Sequence, residues 1–352
     1  MVSVIDAVQI VSADGKVKRE LEPTEYTLSR DTAPSVSPDY TDPSWETTEL
    51  FPEKPESFEF TVTAKDGKTA KVSMGLIGET DITREMVNSM LLEENHEPAL
   101  SFADGHLRIP DIIYYQGRVL KVVGIGPGAF KDFCDGTRQW NLKSIEFPES
   151  LRWIKAEAFA GAGRTEVSGP TPSMWFDLPD SVEAIGSYAF SNFGRDIANV
   201  SMGNSLKYLG DGLFNGSTYA GNLNIPGSLK TFRMSSLGNG SADGIPSHYS
   251  VATFSGNINI GEGMKEIISG DQRDTAGRNH INLRHGYGLI TVPSTVKSIE
   301  SGAFSGVFLD GLLTGGMAVR VNQPKDALQG APWGIHNERG MNLDPDVVTW
   351  NS

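Results

Sequence analysis

The sequence predicts a β-rich solenoid of α/β class, built from short strands and short helical turns, preceded by a smaller mostly-β or α+β N-terminal domain. Three observations support this prediction. A motif that begins with a short apolar strand and ends in phenylalanine recurs along the chain. Glycine occurs 5 times in residues 1–110 and 34 times in the remaining 242. Abundant glycine with short apolar runs favours a turn-rich β protein over a helical one.

The stretch SIEFPESLRWIKAEAF, residues 144–159, is one copy of this motif. Ile145 and Phe147 alternate with a polar residue, so they share one face of a short strand. Pro148 ends that strand because it cannot donate to a ladder. A second apolar pair follows, and the unit closes on alanine and phenylalanine. About seven copies align, with separations of 23 to 35 residues between equivalent positions, a period typical of a solenoid.

Stacking the copies would bury a continuous apolar column that one copy cannot bury alone. The predicted core consists of the apolar anchor in the middle of each unit and the closing phenylalanine. These residues are Ile125, Phe130, Ile154, Phe159, Ile185, Phe190, Leu209, Phe214, Ile299 and Phe304. Copies five and six lack the closing phenylalanine, and the longer separations indicate insertions at residues 160–174, 233–257 and 268–289.

The N-terminal region, residues 1–106, has no such repeats. Residues 58–74 alternate apolar and polar side chains around a central Asp-Gly pair, which predicts a hairpin. Residues 1–30 alternate more weakly around another Asp-Gly pair, which also indicates a hairpin turn. The region is therefore expected to be mostly β or α+β.

Two other segments of the N-terminal region differ from these hairpins in their residue pattern. Residues 31–57 carry five prolines among serine, threonine and acidic residues, which predicts an extended linker or a loop lying on the surface. Residues 81–95 have apolar residues on one face of a predicted helix. Asp81 or Thr83 is expected to cap that helix.

The repeats support a resemblance to a known family. The copies LKSIEFPESLRWIKAEAF, FDLPDSVEAIGSYAF and ITVPSTVKSIESGAF resemble BspA-like (Treponema-type) leucine-rich repeats, whose units follow LxxIxIPxSVxxIGxxAFxxC, although the terminal cysteine is absent here. Residues 107–130 look like the opening segment of that family and residues 321–334 like its closing segment. The resemblance covers about residues 107–350 and implies repeats at 107–316 followed by a C-terminal cap at 317–352.

The resemblance also implies a function. Members of the family are typically surface-exposed or secreted, and they bind proteins or host matrix without catalysis. We therefore expect a non-catalytic recognition or adhesion protein that binds a protein or glycan partner on a host or cell surface through the solenoid. The alternative is a structural or receptor-binding component of a phage particle or similar assembly, with homo-oligomerisation through the N-terminal region. The expected location is extracellular, on the cell surface or on a virion.

Charge and hydropathy limit the function classes. The net charge is −14, and residues 1–110 contribute −11 of it. This chain lacks the basic footprint of a nucleic-acid binder or of a protein that docks on an anionic membrane. It has no apolar run near the about 20 residues of a membrane span, and its first residues do not have the pattern of a signal peptide. Cys134 is the only cysteine, so no intrachain disulfide forms, and we expect a small buried apolar side chain there.

No motif indicates a catalytic, cofactor or metal site. His280 and His285 lie five apart in an insertion without an adjoining cysteine or acidic cluster, so they are predicted to be surface histidines rather than metal ligands. The glycines of GIGPGAF are predicted to be repeat turns, because no helix or lysine follows as in a phosphate loop. An enzyme with its site near His96 or His106 is the weakest alternative. We expect no enzyme and no cofactor.

One pattern across the copies predicts a binding surface. Two residues before the anchor, five of six copies carry a cation. Stacked copies would align these cations as a basic column, with two aromatic residues beside it, and such residues are favoured in interfaces. The predicted binding residues are Arg152, Trp153, Lys207, Tyr208, Lys230, Lys265 and Lys297. The alternative is an ordinary solvent-exposed sheet face, whose lysines keep the sheet from pairing with another chain. The first strands align a second, acidic-to-neutral stripe: Glu146, Asp177, Ser201, Asn224, Asn259 and Thr291.

Overall fold

The structure is a computed structural model of the chain. It describes residues 8–11, 18–21, 26–30, 38–51, 57–64, 69–75, 78–90, 100–116, 118–134, 142–163, 174–193, 196–238, 252–270, 281–284, 289–310, 318–325, 327–337 and 343–351. The chain divides into two compact units. The first comprises residues 1–38 and 52–78, and the second comprises residues 39–51 and 79–352.

The first unit contains two antiparallel sheets. Strands Val8–Val11 and Lys18–Leu21 pair with each other. Strand Ser57–Ala64 lies between Tyr26–Arg30 and Thr69–Gly75 in a three-stranded sheet. The two strand pairings that the sequence predicts as hairpins are therefore confirmed, while the Asp-Gly turns themselves fall outside the described residues.

The second unit is a solenoid in which equivalent strands of successive copies stack in parallel, which confirms the predicted fold class. The first column contains strands His106–Arg108, Ser144–Glu146, Met174–Asp177, Asp196–Ser201, Leu223–Ile225, Ile258–Ile260, Ile290–Val292, Val319–Val321 and Val348–Trp350. The second column contains Arg118–Ile125, Trp153–Ile154, Ala184–Ile185 and Tyr208–Leu209 and, after a break in the sheet, Thr231–Arg233, Glu266–Ile268 and Ser298–Ile299. We call the levels of the stack rungs.

A third column of strands was missed by the sequence analysis. It continues from the first residues of Asp196–Ser201 through Thr218–Tyr219, Ala252–Phe254, Ile281–Arg284, Val307–Asp310 and His336–Asn337. Residues 233–257 and 268–289 were interpreted as insertions that break the period. Each of these segments instead contains a strand of the third column. That strand has neither the proline nor the Ala-Phe pair by which the other parts of the repeat are recognised.

The core of the solenoid is a column of stacked side chains. Phe130 and Phe159 lie parallel with ring centroids 4.9 Å apart, and Phe159 and Phe190 lie parallel at 5.3 Å. Phe214 continues the column at 6.4 Å from Phe190. All ten predicted core positions are buried. The periodic phenylalanines therefore lie in register along one axis, as the stacked arrangement requires.

Several elements precede the first complete copy. They are the 3₁₀ helix Pro43–Glu46, strand Gly78–Ile82, helix Arg84–Met90, strand Ser101–Ala103 and strand Ile112–Tyr115. The helix is shorter within the described residues than the predicted 81–95, and residues 91–99 lie outside them. Thr83 caps it, because the Thr83 hydroxyl accepts a hydrogen bond from the Met86 amide at 3.3 Å. Asp81 is not the cap, since its side chain is buried in the solenoid unit.

The compact division differs from the boundary expected at residue 106. Residues 39–51 and 79–106 belong to the same unit as the repeats. The physical reason is that strand Gly78–Ile82 joins the second column beside Arg118–Ile125. Residues 39–51 are also no linker: they lie on the solenoid and bury Trp45. Of the two interpretations of the proline-rich segment, the structure supports the surface loop for this part.

The C-terminal end repeats the coil once more. Strand Val319–Val321 continues the first column, and Trp333 takes the place of the closing phenylalanine. The Phe304 amide donates to the Trp333 carbonyl at 2.9 Å, and their rings meet edge to face at 5.7 Å. Trp350 then packs on Trp333 at 6.1 Å. A last 3₁₀ helix, Pro345–Val347, leads into the final strand.

Cys134, expected to be buried, is half-buried against the core.

Candidate binding surface on the second column

The predicted cations follow the second column from rung to rung. The Lys207 amide donates to the Glu183 carbonyl at 2.7 Å, the Lys265 amide to the Lys230 carbonyl at 2.9 Å, and the Lys297 amide to the Lys265 carbonyl at 2.7 Å. These backbone bonds fix the vertical order of the side chains. We call this row, together with Arg152, the basic column. Its role in binding stays a prediction.

At its N-terminal end the two cations of the basic column share one carboxylate. The Glu183 carboxylate lies between the Arg152 Nη2 atom at 3.1 Å and the Lys207 Nζ atom at 2.6 Å. Burial alone would raise the pKa of Glu183, but the hydrogen bond from Lys207 and the charge of Arg152 together lower it. Arg152 and Lys207 are therefore occupied by an internal partner.

At its C-terminal end the basic column is open. Within the described ranges, Lys230, Lys265 and Lys297 have no carboxylate within 4.0 Å. The Lys230 ammonium donates to backbone, to the Gly227 carbonyl at 3.0 Å and the Gly263 carbonyl at 3.5 Å. A groove of about 630 Å³ follows the N-terminal rungs of the column and reaches the open end only at Lys230. It is lined by Lys121, Ser150, Arg152, Ser181, Glu183, Ser205, Lys207, Ser228 and Lys230.

The two aromatic residues predicted beside the column are not free for a partner, which corrects the sequence-based interpretation. Trp153 is 1% exposed. It is covered by residues 39–51, which we call the strap. Trp45 of the strap meets Tyr208 edge to face at 5.2 Å and the strap's own Tyr40 at 5.3 Å. The surface under the strap, which we call the slot, consists of Val123, Trp153, Ala184 and Tyr208.

A carboxylate anchors the middle of the strap. Glu46 accepts hydrogen bonds from the Ser187 amide at 2.8 Å and from the Tyr208 hydroxyl at 2.6 Å. Its carbonyl accepts from the Ala156 amide at 3.1 Å. Burial, with the adjacent Glu46 carboxylate, raises the pKa of Tyr208. Tyr208 therefore stays protonated, and its hydroxyl donates a hydrogen bond to Glu46.

A buried ion pair anchors the end of the strap. The Asp81 and Lys155 side chains, 0% and 6% exposed, pair at 2.7 Å. Asp81 also accepts from the Trp153 indole N–H at 2.6 Å and from the Leu50 amide at 2.7 Å. The Lys155 ammonium donates to the Thr48 carbonyl as well. Each charge is therefore satisfied by several hydrogen bonds, as a buried ion pair requires.

Sequence reasoning missed the strap, although the residues give one local signal. Asp42 accepts from the Ser44 amide at 2.9 Å and caps the 3₁₀ helix, with Pro43 in its first turn. An acidic cap followed by proline is typical of a helix start. Trp45, the one tryptophan of the segment, follows within the same 3₁₀ helix and indicates a buried anchor.

The first column carries the second predicted stripe on its outer face. Glu146 pairs with Arg108 at 3.1 Å, and both side chains are largely exposed. The Asn259 amide group donates to the Asn224 side-chain oxygen at 2.9 Å on the next rung. The stripe is thus internally paired at these positions, and a surface pair of this kind contributes little to stability.

The described residues contain no group of three or more His, Cys, Asp or Glu side chains that could hold a metal ion. His106 lies on the first column and bonds the Ser144 hydroxyl at 2.6 Å. Burial lowers the pKa of His336. His96, His280 and His285 lie outside the described residues.

None of the described helices has the length and apolar character to cross a membrane.

Comparison with known proteins identifies the repeats. Residues 124–258 match the family model described as "BspA type Leucine rich repeat region", in six copies. No curated protein matches the chain. Similar solved structures include a leucine rich cell surface protein from Faecalibacterium prausnitzii, at 11% identity over 80% of this chain and 86% of that one, with a TM-score of 0.24. Another is a leucine-rich repeat protein from Bacteroides ovatus, at 16% identity over 72% and 94%, with a TM-score of 0.18.

Proposed function

We propose that this chain, whose residues 124–258 are BspA-type leucine-rich repeats, is a non-catalytic recognition and adhesion protein of the cell surface. It binds an anionic partner through the open end of the basic column. The observation that carries the proposal is the set of three outward lysines, Lys230, Lys265 and Lys297, which have no ion pair among the described residues.

The spacing of the column suits an extended acidic polypeptide. Adjacent parallel strands lie about 4.8 Å apart, and side chains on one face of an extended chain recur every ~7 Å. The long, flexible lysine side chains can take up the difference of about 2 Å per step, so carboxylates along such a chain can reach successive ammonium groups. The strap is an acidic segment, with Asp39, Asp42, Glu46 and Glu49, that lies beside the basic column on the outward positions of Trp153 and Tyr208. By analogy we propose an acidic protein segment rather than a glycan as the partner.

A rigid solenoid is suited to this task. Its rungs hold the lysines in fixed register, and complementary charge raises the rate of association and selects the partner. The surface location is proposed from the resemblance of the repeats to their family. The alternative of a phage or particle component, and oligomerisation through residues 1–106, stay predictions from the sequence.

Charge reversal tests the proposal. The variant Lys230→Glu/Lys265→Glu/Lys297→Glu is compared with wild type by biolayer interferometry on immobilised matrix glycoproteins, before and after deglycosylation, and on a poly-glutamate peptide. We expect at least one of these ligands to bind wild type, and the variant to bind it at least tenfold more weakly, mainly through slower association. Binding that survives deglycosylation identifies a protein ligand.

The control is Arg108→Glu/Lys131→Glu/Lys325→Glu, which makes the same change in net charge at exposed or half-exposed cations off the column, two of them paired with surface glutamates. This control should retain binding. Equal loss in both variants would show a general charge effect, and equal retention in both would remove the basic column as the binding surface.

A further inference from the structure

The strap and the slot have the properties of a ligand and its binding site. We propose that the slot is a binding site for a peptide in which an aromatic residue precedes glutamate, and that the strap is its tethered ligand. A peptide of the same chemistry takes its place when it is supplied from outside. This inference does not depend on the basic column.

The slot is shaped for an inserted ring. Ala184 lies in register between Trp153 and Tyr208 on adjacent rungs. Its small side chain leaves a gap between two aromatic neighbours, and Trp45 packs there. Gly124 permits the close approach beneath: a Cβ atom at this position would lie 2.0 Å from the Trp153 indole nitrogen.

The slot is confined to these rungs. The equivalent outward positions farther along the second column are Thr231, Glu266 and Ser298, which pair in register with one another. None of these three is aromatic, so they cannot form a second pair of walls for an inserted ring. The slot is therefore a local site rather than a general property of the repeat.

Polar groups around the slot recognise the main chain of the ligand as well as its side chains. The Ala156 amide donates to the Glu46 carbonyl, the Asp81 carboxylate accepts from the Leu50 amide, and the Lys155 ammonium donates to the Thr48 carbonyl. A separate set of donors, the Ser187 amide and hydroxyl and the Tyr208 hydroxyl, receives the Glu46 carboxylate. Main-chain bonds give affinity and side-chain pockets give specificity in peptide recognition.

The present ligand fits incompletely. Among the residues that the structure describes, the buried Trp45 indole N–H has no hydrogen-bond partner, in a residue that is only 6% exposed. The Trp153 indole N–H, by contrast, donates to Asp81. A buried donor without a partner weakens binding. An isosteric ligand without that N–H should therefore bind more tightly than the strap sequence itself.

The tether explains how a weak ligand occupies the slot. A segment held in the same chain has an effective concentration on the order of millimolar. An external peptide at micromolar concentration cannot displace it from the wild-type chain. Disabling the strap removes this competition and exposes the slot.

Fluorescence anisotropy with a labelled synthetic peptide of residues 39–51 tests the inference. The full-length variant Trp45→Ala/Glu46→Gln should bind this peptide at least tenfold more tightly than wild type does. A peptide with 3-benzothienylalanine at the tryptophan position, which replaces N–H by sulfur, should bind about fivefold more tightly than the parent peptide. A scrambled peptide of the same composition should not bind.

A blocked slot and a second measurement complete the test. Adding Ala184→Phe to the strap variant fills the gap and should abolish binding. Should the strap variant fail to fold, hydrogen exchange of wild type in millimolar peptide replaces it, and exchange in residues 39–51 should then accelerate while residues 196–238 stay unchanged. A folded strap variant that binds no peptide, equal binding of the scrambled peptide, or an unchanged strap in millimolar peptide overturns the inference.

Discussion

The second column is one ladder with two different halves. From Ile125 to Leu209 its outer face is apolar and covered by the strap, and its inner face rests on stacked phenylalanines. From Thr231 to Ile299 the equivalent outward positions are Thr231, Glu266 and Ser298, beside the open lysines, and two of the three copies lack the closing phenylalanine. The same backbone position thus serves two purposes. The difference shows that the repeat fixes where a side chain lies, while the residue placed there decides whether the chain covers it or leaves it for a partner.

The largest effect is expected at the anchor of the covered half. Asp81→Ala should lower the free energy of unfolding by about 5 kcal/mol, since it leaves a buried ammonium without its partner, and breaking a buried pair typically costs 3–5 kcal/mol. It also leaves the Trp153 indole and Leu50 amide donors without their acceptor. Urea denaturation measures the change.

The control replaces both charges by similar uncharged shapes, in the double variant Asp81→Asn/Lys155→Met. Because neither charge is left alone, its cost should be well below that of Asp81→Ala. A cost below about 1 kcal/mol for Asp81→Ala would mean that the pair does not hold the strap on the solenoid.

The next effect compares the cores of the two halves. Phe190→Ala should destabilise the solenoid by about 4 kcal/mol, within the usual 3–5 kcal/mol for removing a buried phenylalanine. Phe190 stacks on Phe159 and also contacts Phe176 at 4.8 Å. Phe304→Ala should cost less, about 3 kcal/mol, because within the described part of the chain its ring stacks on no other phenylalanine and meets Trp333 edge to face. Equal, small changes of the urea midpoint would contradict the stacked column.

The sequence predicted the buried core of the covered half but not the strap that covers its outer face. The period of the repeat places Phe130, Phe159 and Phe190 in register, because equivalent residues of stacked coils must coincide. The contact between Glu46 and Ser187 joins residues 141 apart, and no period relates them. Trp153 was therefore predicted to be exposed: its outward position was correct, but the segment that covers it could not be identified from the repeat.

The third column was missed for a related reason. Strand Ala252–Phe254 pairs with Thr218–Tyr219 through backbone groups, and its position after a long segment varies between copies. A ladder strand needs only alternating burial and free backbone groups, so no residue motif is required. A repeat can be recognised in the sequence at positions that require one particular side chain, such as the closing phenylalanine. It cannot be recognised at positions where many different side chains fit.

The smallest effect concerns pH and compares one carboxylate from each half. Ion pairs lower the pKa of Glu183 in the covered half, and hydrogen bonds from the Ser269 amide and hydroxyl lower the pKa of Glu300 in the open half. A carboxylate whose pKa is lower in the folded than in the unfolded state stabilises the fold above its ordinary value, 4.5 for glutamate. This stabilisation is lost as the pH falls through the folded value. Glu183→Gln should therefore cost about 1 kcal/mol at pH 7 and much less at pH 3.

Urea denaturation of wild type, Glu183→Gln and Glu300→Gln at both pH values measures this difference. Glu300→Gln should flatten the pH dependence of wild type less than Glu183→Gln does, because solvent screens the exposed hydrogen bonds of Glu300. An equal pH dependence in wild type and Glu183→Gln would mean that Arg152 and Lys207 do not hold the carboxylate ionised. Lys207 would then be as available to a partner as Lys297, and the open part of the basic column would extend one rung into the covered half.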